Sequence, residues 1–246
     1  MKLEGKKVVI TGGAKGIGEA IGSMFTDEGA LVAVIDLAGS GPMFFEGDVT
    51  SPESIRAAID QAHAALGGID IVVASAGVSA HPDSAFRSLL DLEPEHYDFV
   101  QDINTRGVFL TFQQAGRHMV TDGNKGVMLS LASIASKRAT AGAYAVSKAA
   151  VWMLTRCFAA ELAPHGIRVN AIGPVYVATD MITDIASKSG GEAWLADRTA
   201  QIPLGRLGTP LDVAKTALFL CSDDGEFFTG SILHPDGGYT SAFAGG

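Results

Sequence analysis

Residues 7–18 read KVVITGGAKGIG, and this stretch determines the expected fold. The β-branched run at residues 7–11 is typical of a buried strand, and it passes through a glycine-rich turn into a helical pattern. Glycines let a backbone bend sharply and approach a ligand, while a helix N-terminus offers unpaired N–H groups. With 30 Gly in 246 residues, the G-x-x-x-G-x-G spacing is expected about 0.4 times by chance. The position of the match between strand and helix therefore carries the prediction of a pyrophosphate-binding turn.

Short apolar strands and longer helices alternate along the rest of the chain, which predicts a parallel sheet with helices on both faces. Further predicted strands are 31–35, 43–46, 69–74, 127–131, 167–172 and 231–233, and predicted helices are 17–28, 52–66, 94–120, 143–162 and 210–221. The second and third strands are joined by a connection too short for the usual crossover helix. We expect an α/β fold: a single doubly wound Rossmann-type domain over residues 1–246 with a seven-stranded, mostly parallel sheet. Residues 175–203 mix Gly and Ser with apolar side chains and are expected to form a mobile substrate flap.

Composition favours a small-molecule ligand. The hydrophobic fraction is 47%, and the formal net charge of −9 argues against a surface that binds nucleic acid or anionic lipid. Cys157 and Cys221 belong to no C-x-x-C pair, and the six His form no i,i+4 pair, so we expect no metal site. No apolar run approaches the roughly 18 residues of a membrane span. These features predict a soluble, cytoplasmic protein.

Asp36 ends the second predicted strand, 18 residues after Gly18. An acidic residue about 20 residues after such a turn is where dinucleotide-binding units hold the adenosine ribose hydroxyls. Its carboxylate would repel a 2′-phosphate, which favours NAD over NADP. Two observations leave the choice open: Lys15 could attract a 2′-phosphate, and Asp36 could simply cap a turn.

The late helix contains Tyr144 and Lys148 at i,i+4 spacing, which places both on one helix face. An ammonium beside a phenol favours the phenolate and lowers a pKa that is ordinarily about 10. Lowering it by about 3 units needs roughly 4 kcal/mol, more than one exposed lysine supplies. A catalytic pair must therefore be partly buried or share the positive charge of a nicotinamide ring; a solvated helix face is the alternative.

The motifs TGGAKGIG and YAVSK, in this order, resemble the short-chain dehydrogenase/reductase family in its branch of about 250 residues. The resemblance covers nearly the whole chain. It implies a homotetramer and a catalytic set of four residues. Tyr144 would be the proton donor and acceptor, and Lys148 would lower its pKa and bind the nicotinamide ribose. Ser133 would bind the substrate oxygen, and Asn104 would bend its helix and hold a water of the proton relay.

The resemblance also assigns a cofactor site, made of the turn, the ends of the second to fourth strands and the stretch after the sixth. Its residues are Gly12, Lys15, Gly16, Ile17, Gly18, Asp36, Leu37, Asp48, Val49, Ala76, Gly77, Tyr144, Lys148, Pro174, Val177 and Thr179.

Three departures from the family pattern remove no catalytic group. Ser75 replaces the asparagine that braces the central sheet, which predicts lower stability there. Val175 stands where glycine is usual and could narrow the nicotinamide pocket. The interval from Ser133 to Tyr144 is short, so Ser130 or Ser136 could take the place of Ser133.

The expected function is an oxidoreductase that transfers a hydride between NAD(H) and a secondary alcohol, sugar or polyol and its ketone. Alternatives are an NADPH-dependent 3-oxoacyl reductase, a non-catalytic NAD-sensing module and a nucleotide-fold methyltransferase. The helix at 143–162 is apolar around most of its circumference and needs burial beyond one sheet, which agrees with a homotetramer. Expected neighbours of the substrate are His81, Lys137, Arg138, Tyr176, Met181 and Trp194.

Overall fold

The glycine-rich turn follows the central strand of one parallel sheet in the computed structural model, which describes residues 1–84, 88–138 and 142–241. The strands are β1 (Lys7–Thr11), β2 (Leu31–Asp36), β3 (Phe44–Glu46), β4 (Ile71–Ala74), β5 (Gly126–Leu131), β6 (Ile167–Ile172) and β7 (Ile232–Leu233). Their order is β3-β2-β1-β4-β5-β6-β7, and every pairing is parallel. The doubly wound Rossmann-type fold is therefore confirmed, with a fully rather than mostly parallel sheet.

Helices cover both faces of this sheet. They are α1 (Gly16–Asp27), α2 (Pro52–Leu66), α3 (Pro94–Gln101), α4 (Gly107–Thr121), α5 (Gly142–Leu162), α6 (Asp180–Ser189), α7 (Glu192–Ala200) and α8 (Pro210–Cys221). The single helix predicted at 94–120 is wrong, because a π-helical segment at Asp102–Arg106 separates α3 from α4. Other predicted ends differ by one or two residues, as is usual where terminal hydrogen bonds end.

Strand β3 joins the sheet although no helix precedes it. Val34 pairs with Phe44 in parallel register, and the connecting loop packs closely on the Phe44 ring. A Cβ on Gly39 would lie 2.4 Å from that ring, so a glycine is required for the close approach. The short connection thus replaces the usual helix with a compact loop.

The core has one apolar cluster on each face of the sheet. Val9 and Val72 point to the side of α2, α4 and α5, whereas Val8 and Val73 point to the side of α1 and α8. Because both faces are covered, the central strands are buried over their whole length, as their continuous apolar sequence predicts.

Ser75 lies beside the end of β1, where its backbone N–H donates to the carbonyl of Thr11 at 2.9 Å. The Thr11 hydroxyl is buried, and among the described residues it has no hydrogen-bond partner. A buried hydroxyl in this state costs about 1–3 kcal/mol. A loss of stability caused by Ser75 stays a prediction from the sequence.

The segment 175–203 contains α6 and α7, separated by Gly190 and Gly191, both with positive φ. The mobility of this segment stays a prediction from the sequence, as does the single domain over residues 1–246. Within the described part of the chain, no helix has both the length and the hydropathy needed to cross a bilayer.

Candidate active site

At two positions of the turn after β1, Gly12 and Gly18, only glycine fits. Gly12 has φ +69°, and a Cβ there would lie 2.5 Å from the backbone of Ala76. A Cβ on Gly18 would lie 2.2 Å from the carbonyl oxygen of Gly12. Lys15, at the N-cap of α1, makes no side-chain capping bond, so no side chain occupies the N–H groups of the first turn. The turn therefore fits a pyrophosphate, which binds such N–H groups.

A cleft of about 490 Å³, called the nucleotide cleft below, extends from this turn along the carboxyl ends of β4, β5 and β6. Ten of the predicted cofactor residues line it: Lys15, Gly16, Ile17, Gly18, Gly77, Tyr144, Lys148, Pro174, Val177 and Thr179. The other six, Gly12, Asp36, Leu37, Asp48, Val49 and Ala76, are not among its lining residues. Gly12 and Ala76 form the backbone contact beneath the turn, so the cleft brings together the pyrophosphate and nicotinamide parts of the prediction.

Asp36 caps the turn. Its carboxylate accepts hydrogen bonds from the backbone N–H of Ala14 at 3.1 Å and from that of Leu37 at 2.8 Å. This is the capping role that the sequence left open. An ionised carboxylate has about four acceptor positions, so two remain for ribose hydroxyls.

Asp48 and Val49 are engaged elsewhere in the fold. The Asp48 carboxylate accepts from the N–H and the hydroxyl of Thr50, each at 2.8 Å. Val49 packs into the core against Gly107, where a Cβ would lie 2.9 Å from the valine side chain. Both residues therefore have local structural roles in addition to the predicted one.

Tyr144 and Lys148 lie one turn apart on α5, and both face the cleft. Lys148 is buried, and its Nζ donates to the carbonyl of Leu131 at 2.7 Å. The same Nζ lies 5.6 Å from the centroid of the Tyr144 ring. Gly77 lies beside this ammonium, because a Cβ there would be 3.4 Å from Nζ, an ordinary contact distance. The pair is thus partly buried, as a catalytic pair requires.

Burial changes the acidity of both groups. It raises the pKa of Tyr144, and a hydrogen bond with the Ser133 hydroxyl opposes this effect only in part. Burial lowers the pKa of Lys148 to about 8. The expectation that Lys148 acidifies Tyr144 is therefore not met by the side chains alone: the ammonium is directed at Leu131, and the phenol is held neutral. The positive charge of a nicotinamide ring, which the sequence analysis named beside the lysine, would be the further cation that lowers the pKa of the phenol.

Of the three candidate serines, Ser130, Ser133 and Ser136, only Ser133 reaches the clefts. It lines the nucleotide cleft and a neighbouring cleft, as Tyr144 does. Ser130 is buried and hydrogen-bonded to the Thr155 hydroxyl at 2.8 Å, and Ser136 donates to the Ser133 carbonyl at 2.7 Å. Neither alternative serine lines either cleft, so geometry favours Ser133.

Asn104 lies in the π-helical segment and connects three parts of the site. Its Nδ2 donates to the carbonyl of Val78 at 2.9 Å and to the Ser147 hydroxyl at 3.0 Å, while its Oδ1 accepts from the N–H of Val78 at 2.8 Å. Ser147 in turn donates to the carbonyl of Tyr144 at 2.7 Å. Both amide hydrogens are thereby used within the protein. Asn104 links α5 to the loop after β4 and lies where its own helix becomes π-helical. Its part in holding a water of the proton relay stays a prediction.

The second cleft, of about 430 Å³, adjoins Ser133 and Tyr144 and extends under α6 and α7. Of the expected substrate neighbours, Arg138, Tyr176, Met181 and Trp194 line it, whereas His81 lines the nucleotide cleft and Lys137 lines neither. Sequence reasoning missed Arg198, Gln201 and Tyr239. Arg138 and Tyr239 contact each other across 101 positions of sequence, and no local pattern indicates such a contact.

A metal centre has no structural support in the described residues, where no group of three or more His, Cys, Asp or Glu side chains could hold an ion.

Comparison with known proteins agrees with this geometry. The family described as enoyl-(acyl carrier protein) reductase matches residues 12–240. An NAD-dependent glycerol dehydrogenase of Listeria innocua is 35% identical over 252 aligned residues, covering 96% of this chain and 94% of the relative. A short-chain type dehydrogenase/reductase of Mycobacterium marinum superposes with a TM-score of 0.89 at 36% identity, covering 98% of each chain. A 3-ketoacyl-(acyl-carrier-protein) reductase of Brucella melitensis, complexed with NADH, superposes with a TM-score of 0.86 at 31% identity, covering 97% of this chain and 99% of that one.

Fold and site together define an oxidoreductase that binds a nicotinamide cofactor. The chain belongs to the short-chain dehydrogenase/reductase family.

Proposed function

We propose that this protein is an NAD-dependent dehydrogenase of secondary alcohols, sugars or polyols, which also reduces the corresponding ketones. The observation that carries the proposal is the position of Tyr144 and Ser133, which line both the nucleotide cleft and the adjoining cleft. A proton acceptor at this boundary can reach a substrate oxygen while the substrate carbon faces the cofactor.

Each proposed catalytic or positioning residue has a separate role in the reaction. The Ser133 hydroxyl binds the alcohol oxygen, and Tyr144 Oη takes the hydroxyl proton during oxidation or returns it during reduction. Lys148 binds the nicotinamide ribose and contributes positive charge beside the phenol. Asn104 is a positioning residue that acts through α5. When bound, the nicotinamide supplies the hydride chemistry, so the alcohol loses one proton and one hydride in total.

NAD preference is proposed from Asp36, whose carboxylate closes the end of β2 beside the turn. A 2′-phosphate there would meet like charge and would displace the capping bonds. The Listeria relative is described as NAD-dependent, and the Brucella structure contains NADH. Lys15 is the one residue of the turn that favours a 2′-phosphate.

Replacing Asp36 with serine is therefore expected to shift cofactor choice. Removal of the like charge should lower the ratio of kcat/KM for NAD⁺ over NADP⁺ by about tenfold or more, the equivalent of about 1.4 kcal/mol. The measurement is absorbance at 340 nm in a screen of sugars, polyols and secondary alcohols with each cofactor. Asp27→Ser, at an exposed position of α1, controls for net charge and should leave the ratio unchanged. Tighter binding of NADPH than of NADH by the wild type would contradict the role of Asp36.

An NADPH-dependent 3-oxoacyl reductase is the second candidate. It is favoured by the description of the matching family and by the Brucella ketoacyl reductase. The same cofactor titrations, with a 3-oxoacyl thioester as substrate, discriminate it from the first.

A homotetramer formed through α4 and α5 is the proposed assembly. These helices expose apolar side chains: Met153 is 54% exposed, Val146 44% and Phe109 37%. Such a patch on the described surface indicates an interface. Light scattering is expected to give about four times the chain mass of 25.4 kDa, and a strictly monomeric mass would contradict the proposal.

A further inference from the structure

The second cleft, which adjoins Ser133 and Tyr144, is positively charged although the protein as a whole is acidic. Arg138 and Arg198 are the only charged side chains among the described residues that line this cleft, whereas the chain carries a formal net charge of −9. No Asp, Glu, Lys or His is among these lining residues. Two guanidinium groups at one small cleft, with no acidic side chain among its described lining residues, repel each other, and a bound anion would offset this repulsion.

Arg138 is held by an aromatic ring rather than by a carboxylate. Its Nη1 donates to the Tyr239 hydroxyl, and its guanidinium carbon lies 5.0 Å from the centroid of the Tyr239 ring. Within the described residues no carboxylate lies within 4.0 Å of it. The stacking orients the planar guanidinium and leaves other N–H donors free.

Arg198 is held in the same way. Its guanidinium carbon lies 5.2 Å from the ring of Trp194 and 5.7 Å from that of Tyr176. Its Nε is buried and has no hydrogen-bond partner among the described residues. The nearest carboxylate is that of the preceding residue, Asp197, at 3.8 Å and largely exposed. A buried guanidinium N–H without a partner is costly, so the protein does not fully compensate this cation.

A hydrogen-bond chain joins the two arginines. Tyr239 Oη donates to Gln201 Oε1 at 3.3 Å, and Arg198 Nη1 donates to the same oxygen at 3.3 Å. Tyr176 packs edge to face against both Trp194 and Tyr239, with ring centroids 5.6 and 5.9 Å apart. The two cations therefore belong to one connected set of aromatic and hydrogen-bond contacts, which orients both of them toward one ligand.

Much of the remaining lining is apolar, with Met181, Ile182 and Ile185 from α6 among its residues. Ser133 and Tyr144 are its groups for the reacting oxygen. A ligand that satisfies these features has a hydroxyl group on the carbon to be oxidised, an apolar body and an anionic group. The volume of about 430 Å³ lies in the range of small-molecule sites.

We infer that the substrate is a hydroxy acid or its oxo acid, with an apolar body between the reacting carbon and a carboxylate that Arg138 and Arg198 bind. The inference rests on the proposed function and specifies its substrate class. The planar guanidinium matches a carboxylate with paired N–H donors, which a lysine cannot do. A phosphate monoester shares this chemistry and is a separate arm of the test.

The first experiment measures binding by the full chain in the presence of NAD⁺, with calorimetry as the readout. Cyclohexanecarboxylate is expected to bind at least about tenfold more tightly than cyclohexanecarboxamide, and Arg138→Gln and Arg198→Gln should each abolish most of that difference. Arg138→Lys and Arg198→Lys keep the charge and should restore part of it. Arg117→Gln, on the exposed surface of α4, should behave as the wild type. Equal affinity of the wild type for acid and amide would overturn the inference, whether or not the variants fold.

The second experiment measures turnover of 3- and 4-hydroxycyclohexanecarboxylate, their methyl esters and 4-hydroxycyclohexyl phosphate. The wild type is expected to oxidise a carboxylate with kcat/KM at least about tenfold above its ester, and Arg→Gln variants should lose this preference mainly through KM. Preference for the phosphate over both acids would overturn the assignment to a carboxylate. Equal turnover of acids and esters would overturn the anion site and leave the dehydrogenase standing. Arginine-dependent carboxylate binding without oxidation of any of these alcohols would support the anion site and count against the proposed function.

Discussion

Replacing Tyr144 with phenylalanine is expected to lower kcat by a factor of about 10²–10⁴, because the variant loses the group that exchanges a proton with the substrate oxygen. The ring remains, so packing of α5 and the shape of both clefts should be preserved. The affinity for NADH should accordingly change by no more than about tenfold, since one hydrogen bond at most is lost. Stopped-time and continuous assays at 340 nm, with cofactor binding measured by fluorescence, provide the two readouts.

Tyr97→Phe is the matched control for this substitution. Tyr97 lies on α3, outside both clefts, so its variant should retain the wild-type rate. If Tyr144→Phe also retained that rate, the phenol would not be the proton carrier, and the proposed mechanism would be wrong.

Substituting Lys148 with methionine is expected to separate activity from stability. Activity should fall by a factor of about 10²–10³, because the charge beside the phenol is removed from a partly buried site. The free energy of unfolding should nevertheless rise by about 1–2 kcal/mol. The gap between the ordinary lysine pKa of 10.5 and the value of about 8 corresponds to a burial cost of about 3 kcal/mol. Loss of the bond to the Leu131 carbonyl offsets about 1 kcal/mol of that gain.

The advantage of the Lys148→Met variant should depend on pH. Below pH 8 the lysine is protonated in both the folded and the unfolded chain, so the full cost of burial is present. Between about 8 and 10.5 the folded chain releases a proton that the unfolded chain keeps, and wild-type stability rises relative to the variant. From pH 7 to pH 10.5 the stability of the variant relative to the wild type should therefore fall by about 3 kcal/mol, so that the wild type becomes the more stable of the two at pH 10.5.

Urea unfolding at pH 7, 9 and 10.5, at one protein concentration, measures this change. Lys215→Met, at an exposed position of α8, is the control and should show no such pH dependence. Parallel pH profiles for the two variants would show that Lys148 carries no burial cost.

Local sequence patterns were enough to predict the elements whose structure depends on a few neighbouring residues. The turn at residues 11–18 combines a strand, required glycines and a helix start, and the structure has all three. The pair Tyr144 and Lys148 needs only the helical repeat to share a face. Ser133 could be chosen over Ser130 and Ser136 only by a family alignment, because their surroundings are set by contacts distant in sequence.

Other features depend on contacts that no short stretch contains. The π-helical segment forms where Asn104 bonds to Val78 and Ser147, residues 26 and 43 positions away. Helices α6 and α7 were expected as part of a flap because two glycines and neighbouring serines obscure their helical pattern. Arg198 and Gln201 were missed because the helical repeat that brings Arg198 beside Trp194 and Gln201 was not recognised. Tyr239 was missed because it meets Arg138 only in the folded chain.

The sequence by itself determined the succession of the seven strands, the glycine-rich turn and the i,i+4 placement of Tyr144 and Lys148, because each depends on backbone geometry over a few residues. Only the tertiary structure decided the acidity of Tyr144 and Lys148, since burial, which raises one pKa and lowers the other, is a property of the packed molecule. The tertiary structure likewise brought two arginines from separate elements into one cleft, and the charge of a cleft depends on the side chains that folding places around it.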